Sequence, residues 1–556
     1  MDKIRQEKMP LAGLLASYTG RDRVSLHVPG HKGRIPSADA SFSGEAGLFF
    51  SMAPEKFLRA DITEIDGFDD LHNPTGVIRE AQQLAADLFG ADETFFLVNG
   101  TTSGVVAAVA AAAYKGEPVL VARDCHESVT RGLILSGAQP IYIDAAFDEE
   151  QGIPAGIHTE SVRTALDLNP GVRALVLTHP SYYGTYGRLE EIVALCHSRE
   201  VAVIADEAHG AQLYFSGQEE IPAALAAGCD ISVQSTHKML GSLTQSSMLH
   251  VRGERIDRRM LRSLISLMNS TSPSYLLMAS LDAVRHEMAL RGEEIWREKR
   301  KLAAEFAERI ERIQGIRCVR EFTDAEGCRR ELEGCRLLFS AEESGIGGRQ
   351  LAKLLAEEHR IDAELWDGPY VLAVVGSGTE RSDLLALEKA LKDISASAVR
   401  RRTGSAAEVS LSSVGEAAES TDSAESAESA SERFQNGEET AGGQTGQMDL
   451  RKEKMRVYRT LKHRSALSPR DAFFSPVEIV SLEEAAGRIA SNAVSVYPPG
   501  IPVLYPGEII SEEIRDYILN AARECEMHGM AEEEGERLCI RVVTERQDAL
   551  FCGMLF

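Results

Sequence analysis

The sequence predicts an α/β protein. It has a large domain on a mostly parallel, doubly wound sheet, a small α+β domain, and a separate C-terminal α+β domain. Three observations predict this. Short apolar, β-branched runs alternate with helical patterns through the first half of the chain, the signature of βαβ units. Weaker strand-like runs then surround one further helix. Finally, a low-complexity stretch near residue 400 sets off a compact C-terminal segment. The expected divisions are 1–75 (an N-terminal arm and the segment after it), 76–285 (large domain), 286–400 (small domain), 401–449 (linker) and 450–556 (C-terminal domain).

The elements follow in order. Leu11, Leu14, Leu15 and Tyr18 recur at helical spacing, which reads as an amphipathic arm rather than a signal peptide. TFFLVN (94–99), PVLVAR (118–123), PIYID (140–144), RALVLTH (173–179), VAVIAD (201–206) and DISVQS (230–235) read as strands. They are apolar throughout, as strands covered on both faces should be. Helical patterns such as REAQQLAADLFG (79–90) and LEEIVALCHSRE (189–200) lie between most of them. A long helix is expected from about Leu281 to Ile313. It is followed by strands at 335–341 and 370–376 around the helix GGRQLAKLLAEEH (347–359). Residues 405–447 are rich in Ser, Ala, Glu and Gly. Such a segment buries too little apolar surface to offset its ordering entropy, so a disordered acidic linker is expected.

Composition narrows the classes. The 556 residues carry 60 Lys+Arg against 85 Asp+Glu, a formal net charge of −25, which argues against a nucleic-acid partner. Nine cysteines without a CxxC pair speak against a disulfide scaffold or zinc ribbon and for a reducing cytoplasm. No metal site is predicted. The most apolar run, VVAAVAAAAY (105–114), is far shorter than the ~20 residues of a membrane span, so no membrane association is expected. The signatures GxxxxGK[ST], GxGxxG after a strand, HExxH and GxSxG are absent.

What remains is a set of polar groups at strand ends, where open α/β sheets bind ligands. Asp206 ends the apolar strand VAVIAD, a costly place for a carboxylate without a partner. NGTTSG (99–104) joins a strand to an alanine-rich helix and offers a phosphate cradle. Ser235-Thr236-His237-Lys238 follows another strand, and His126 a third. Alone, each reads as an ordinary turn, cap or surface group. Together they supply what an aldehyde cofactor with a phosphate and a pyridine ring needs: an amine, an anion cradle, a stacking group and a carboxylate for the ring nitrogen. Pyridoxal 5′-phosphate is that cofactor.

With these stretches in view, the sequence resembles the bacterial-type ornithine/lysine/arginine decarboxylases, pyridoxal-phosphate enzymes of fold type I, the aspartate-aminotransferase fold. The matching stretches are HVPGHKG (27–33), DITEIDGFDDLHNPTG (61–76), FFLVNGTTSG (95–104), DCHES (124–128), THPSYYG (178–184), ADEAHGA (205–211), QSTHKMLGSLTQSSMLH (234–250) and TSPSYLLMASLD (271–282). GRIASNAVSVYPPGIPVLYPGE (487–508) extends the match into the C-terminal domain. The resemblance covers nearly the whole chain outside the linker. It points to the shorter form of the family, without the wing domain of the largest members.

The resemblance implies roles. Lys238 holds the cofactor through a Schiff base, Asp206 pairs with the pyridine nitrogen, and His126 stacks on the ring. Thr101, Thr102, Ser103, Ser235 and His237 surround the phosphate, and His209 falls where relatives place a cofactor-side group. Thr271 and Ser272 are expected to reach the phosphate of a neighbouring subunit, since this fold builds its site at a homodimer interface. Lys238, His237 or Tyr183 returns the proton to Cα. HVPGHKG and DITEID line the entrance. Glu64, Asp66, Asp69, Asp70 and Glu508 are candidates for the distal cation of a basic amino-acid substrate. The implied reaction is decarboxylation of arginine to agmatine, for polyamine biosynthesis. Lysine or ornithine is the alternative substrate, and transamination or a lyase step the alternative chemistry.

Overall fold

The computed structural model describes residues 3–20, 24–33, 52, 54–217, 220–408, 464–497, 500–523, 525–531 and 537–544. The predicted linker beyond residue 408 lies outside the described residues. The expected division at 400/401 falls inside the helix Arg381–Glu408.

The large domain is built on nine strands: β1 (Glu93–Leu97), β2 (Pro118–Ala122), β3 (Gln139–Ile143), β4 (Ala145–Phe147), β5 (Pro154–Ile157), β6 (Ala174–Thr178), β7 (Ala202–Asp206), β8 (Ile231–Gln234) and β9 (Ser247–Val251). Seven form one sheet in the order β1-β9-β8-β7-β6-β2-β3. Strands β3, β2, β6, β7 and β8 run parallel, and β9 runs antiparallel to both β1 and β8. Each strand predicted from an apolar run is present, shifted by a residue or two. β9 was not anticipated among the strands. Helices cover the faces, and β6 through β9 are almost wholly buried; β6 and β7 are accordingly apolar along nearly their whole length, whereas β8 and β9 bury Ser232, Gln234, Ser247 and His250.

Two devices tie the arm and helices to this sheet. The helix Pro10–Thr19 packs Leu11 and Leu15 into the core. Its Leu11 and Ala12 N–H groups donate to Asp282 Oδ2, each at 3.0 Å, on the long helix Tyr275–Ile310. The helix Gly100–Ala112 lies close on the sheet because Gly104 has no Cβ. A Cβ there would meet Leu97 Cδ1 at 2.5 Å and Val233 Cγ1 at 2.7 Å.

The small domain follows the long helix. Its main sheet joins β10 (Arg317–Val319), β13 (Arg336–Ser340), β14 (Leu365–Asp367) and β15 (Tyr370–Val374) in the antiparallel order β10-β13-β15-β14, beside the hairpin β11 (Glu321–Thr323) and β12 (Arg329–Glu331). The C-terminal domain pairs β16 (Val477–Ser481) with β20 (Cys539–Val543). It also builds a three-stranded sheet from β17 (Val494–Tyr497), β18 (Ile501–Leu504) and β19 (Glu526–His528). Its core, around Val494, Leu504, Ile514 and Ile518, also takes in Ala145 and Phe147 of the β4–β5 hairpin. The domain is therefore seated on the large domain by shared apolar burial. Among the described residues no cluster fit to hold a metal occurs, and no helix is long and apolar enough to cross a membrane.

Candidate active site

The parallel strands deliver their carboxyl ends to one side of the sheet. In register, Thr178 at the end of β6 lies beside Asp206 at the end of β7, and Asp206 beside Val233 of β8. Lys238 follows within the short helix Thr236–Met239, and the helix Gly100–Ala112 starts just past β1. A cavity of about 370 Å³ opens at this edge. Its walls include Thr101, Thr102, His126, Asp206, His209, Ser235, His237 and Lys238. In the sequence these residues lie in four separate stretches.

Each group is fixed by its neighbours. Thr101 Oγ1 lies 2.6 Å from Ser235 Oγ and 3.0 Å from Ser247 Oγ, so a hydroxyl chain ties the helix start to the lysine motif. Asn99 provides no side-chain cap for that helix, whose first-turn N–H groups have no intrahelical acceptor. His126 caps the helix Glu127–Ser136, its Nδ1 accepting from Ser128 N at 3.1 Å. His237 Nδ1 lies 2.8 Å from Ser246 O. Lys238 Nζ lies 2.9 Å from His209 Nε2.

Burial sets the electrostatics. It pushes the Lys238 ammonium below its ordinary pKa, against the opposing pull of Asp206 and Glu364. It pushes the Asp206 carboxyl up, while the nearby His126 and Lys238 favour its charged form. It pushes His126, His209 and His237 down. A buried amine beside a buried carboxylate in a cleft is the pattern of a working site rather than a structural pair.

The structure also gives several predicted residues other positions. Glu508 is wholly buried away from the cavity. Its carboxylate accepts Arg123 Nη1 at 2.9 Å and Nη2 at 3.2 Å, and Tyr505 N at 3.0 Å. Those bonds use its acceptor capacity, which corrects its assignment to the substrate. Asp69 Oδ2 accepts backbone N–H groups from Gly76, Ile78 and Arg79 and so caps the start of the helix Val77–Phe89, while Asp70 accepts from His72 N in an Asx turn. Ser103 Oγ donates back to Gly100 O at 2.9 Å, and does not line the cavity. Nor do Glu64, Asp66, Thr271 and Ser272 of this chain. The two entrance motifs hold each other through His27 Nε2 and Thr63 Oγ1 at 3.1 Å and through His31 Nε2 and Asp61 Oδ2 at 3.1 Å.

Several lining residues escaped sequence reasoning. Asp124, Tyr182 and Glu364 lie in the walls, with Tyr497 and Ile501 from the C-terminal domain. Tyr182 donates its hydroxyl to Glu364. Arg336 reaches in from the small domain, its Nη2 3.2 Å from His209 Nδ1. One signal was available for it: a charge opening the buried strand CRLLFS, much as Asp206 closes VAVIAD. For Glu364, on an exposed turn, there was none. A larger cleft of about 590 Å³ elsewhere pairs its charges internally, Arg258 with Asp92 and Arg262 with Glu93.

Fold and cavity together describe an open α/β sheet that gathers a buried lysine and a buried carboxylate at its strand ends. Residues 9–327 match the model of the Orn/Lys/Arg decarboxylase major domain, and residues 451–544 that of the Orn/Lys/Arg decarboxylase C-terminal domain. The chain is 34% identical over 514 residues to the arginine decarboxylase of Bacillus subtilis, covering 92% of this chain and 93% of that one. It is 25% identical over 574 residues to the lysine decarboxylase of Hafnia alvei, covering 93% and 75%. The solved structure of lysine decarboxylase A from Pseudomonas aeruginosa superposes with a TM-score of 0.78 at 23% identity, covering 97% of this chain and 81% of that chain. The chain belongs to the Orn/Lys/Arg decarboxylase family and is an amino-acid decarboxylase of the pyridoxal-phosphate-dependent type.

Proposed function

We propose that the protein decarboxylates L-arginine to agmatine, with pyridoxal 5′-phosphate held at Lys238. The observation that carries this reading is the joint placement of Lys238, Asp206, His126 and the Thr101–Ser235 hydroxyl pair around one cavity. The donor set fits the cofactor. A buried amine suits the aldehyde, a buried carboxylate suits the ring nitrogen, and a glycine-led helix start with hydroxyls suits the phosphate. When bound, pyridoxal phosphate supplies an electron sink for the bond between Cα and the departing carboxylate.

The chain's own residues do the rest. Asp206 would pair with the protonated ring nitrogen, its charged form favoured by His126 and Lys238 against the pull of burial. His126, locked by Ser128, offers a ring face to the cofactor. Thr101, Thr102, Ser235 and His237, all in the cavity wall, would hold the phosphate. Lys238 or His237, both in the cavity wall, would move the proton at Cα. Tyr183 already donates its hydroxyl to Asp367 Oδ2 at 2.5 Å, which weakens its candidacy. Glu364 takes over from Glu508 as this chain's anion for the distal guanidinium. Tyr182, Tyr497 and Ile501 narrow the cavity and limit water. Thr271 and Ser272, both exposed, stand ready to complete the phosphate site of a second copy in a homodimer.

The arginine reading rests on the Bacillus relative. The Hafnia relative supports lysine as the second reading. Incubating the protein separately with arginine, lysine and ornithine, and scoring CO₂ and amine, tests both. Agmatine is the expected product; cadaverine or putrescine alone would reject it. Lys238→Ala is expected to abolish the visible absorbance of the bound cofactor together with CO₂ release, and an unchanged spectrum would refute the lysine assignment.

A further inference from the structure

The contacts around His209 determine where its proton sits. Arg336 opens β13 and is 4% exposed. Its Nη2 lies 3.2 Å from His209 Nδ1 and 3.0 Å from His209 O, and its Nη1 lies 3.1 Å from Met239 Sδ. The guanidinium is thus clamped onto both residue 209 and the residue following Lys238. A guanidinium donates and never accepts. His209 Nδ1 must therefore present its lone pair, and a neutral imidazole then carries its single proton on Nε2. That Nε2–H lies 2.9 Å from Lys238 Nζ. An ammonium has no lone pair to accept it, whereas an amine has one. The alternative, with protons arriving at both ring nitrogens from outside, needs an imidazolate.

We propose that Arg336 is a positioning residue: it fixes His209 in the Nε2–H form, and His209 in turn holds Lys238 as the unprotonated amine. The cofactor aldehyde needs that amine as its nucleophile, so this inference deepens the proposed function and rests on it. The surroundings are mixed. Lys238 faces Asp206 and Glu364, which favour its charged form, and Arg336, which opposes it; the Tyr182 ring lies 5.8 Å away. His209 faces Lys238, Arg336, His126 and His237, with the Tyr182 ring at 4.3 Å. Arg336 faces Glu333 as well. The two carboxylates on Lys238 would otherwise draw a proton onto it, which is where a directed Nε2–H has work to do.

The test reads the lysine directly, on the full chain stripped of cofactor. Lys238 acetylation by acetic anhydride is followed by mass spectrometry as a function of pH. Arg336→Met is expected to move the midpoint upward by about one pH unit, a roughly tenfold slower reaction at neutral pH. Arg336→Gln, which keeps an N–H donor without the charge, is expected to stay near the native midpoint. In a His209→Ala background, Arg336→Met is expected to add little, because the two residues act as one unit. Equal shifts in both backgrounds, or equal shifts for Met and Gln, would mean a bare charge effect and overturn the proposal. No shift for any variant would also overturn it. Thermal melts establish that each variant is folded, and Arg336→Lys serves if the Met variant is not: it is expected to retain the native midpoint, and a shift as large as one unit would count against the relay. Cofactor absorbance is measured separately, so failure to bind pyridoxal phosphate leaves the labelling result intact.

Discussion

Asp124 illustrates what a buried carboxyl costs at the scale of one residue. It sits in the cavity wall next to His126, and burial pushes it up to about 6 from an ordinary value of 3.8. The folded chain therefore keeps this proton to higher pH than the unfolded chain. Between about pH 4 and pH 6 the native state binds more protons, so this group's contribution makes stability fall as pH rises, and the loss is complete above that window. Asp124→Asn is expected to remove the slope and to stabilise the chain at pH 7 by up to ~3 kcal/mol. Urea melts at pH 4 and pH 7 check this; an equal pH dependence in the variant would show that Asp124 is not its source. Glu207, directly after Asp206, is likewise pushed up by burial, to about 7, but its hydrogen bonds oppose the shift. Four donors converge on its carboxylate: Ala224 N, Ser232 Oγ, Gln234 Nε2 and Tyr214 OH. An amide would turn N–H towards donors, so Glu207→Gln is expected to cost ~2–3 kcal/mol, read as a lower melting temperature.

At the scale of elements, the site depends on a helix held close to the sheet. The helix Gly100–Ala112 brings Thr101 and Thr102 into the cavity because Gly104 lets it approach β1 and β8. Leu97 can rotate away from an added methyl, but the branched Val233 is stiff. Gly104→Ala is expected to cost ~1–3 kcal/mol. It should also weaken cofactor retention, measured by dialysis and absorbance, because the helix start must lift. Full retention at native stability would show that the contact is slack.

At the scale of the whole molecule, the C-terminal domain completes the cavity. Tyr497 and Ile501 line it, and Glu127 N donates to Gly500 O at 3.3 Å beside His126. The domain is anchored by the buried Arg123–Glu508 pair, whose guanidinium lies 4.8 Å from the Tyr142 ring and 4.6 Å from the Tyr505 ring. Breaking one partner of such a pair leaves a buried charge. Glu508→Gln is expected to cost ~3–5 kcal/mol in urea denaturation and to lower decarboxylation by loosening that wall. Native stability and rate in the variant would remove Glu508 from the anchoring role.

The sequence by itself marked out the parallel sheet and singled out Lys238, Asp206 and His126, which folding brings to one cavity. Fully covered strands must be apolar along their length, so a charged or reactive group at their ends stands out without any coordinates. Only the tertiary structure decided which acids are free. Asp69 became a helix cap, Asp70 the acceptor of an Asx turn and Glu508 an anchor, because a carboxylate's use depends on which donors folding brings to it. The same holds for Glu364 and Arg336: the small domain carries them to the lysine, and no local pattern records where a domain will lean.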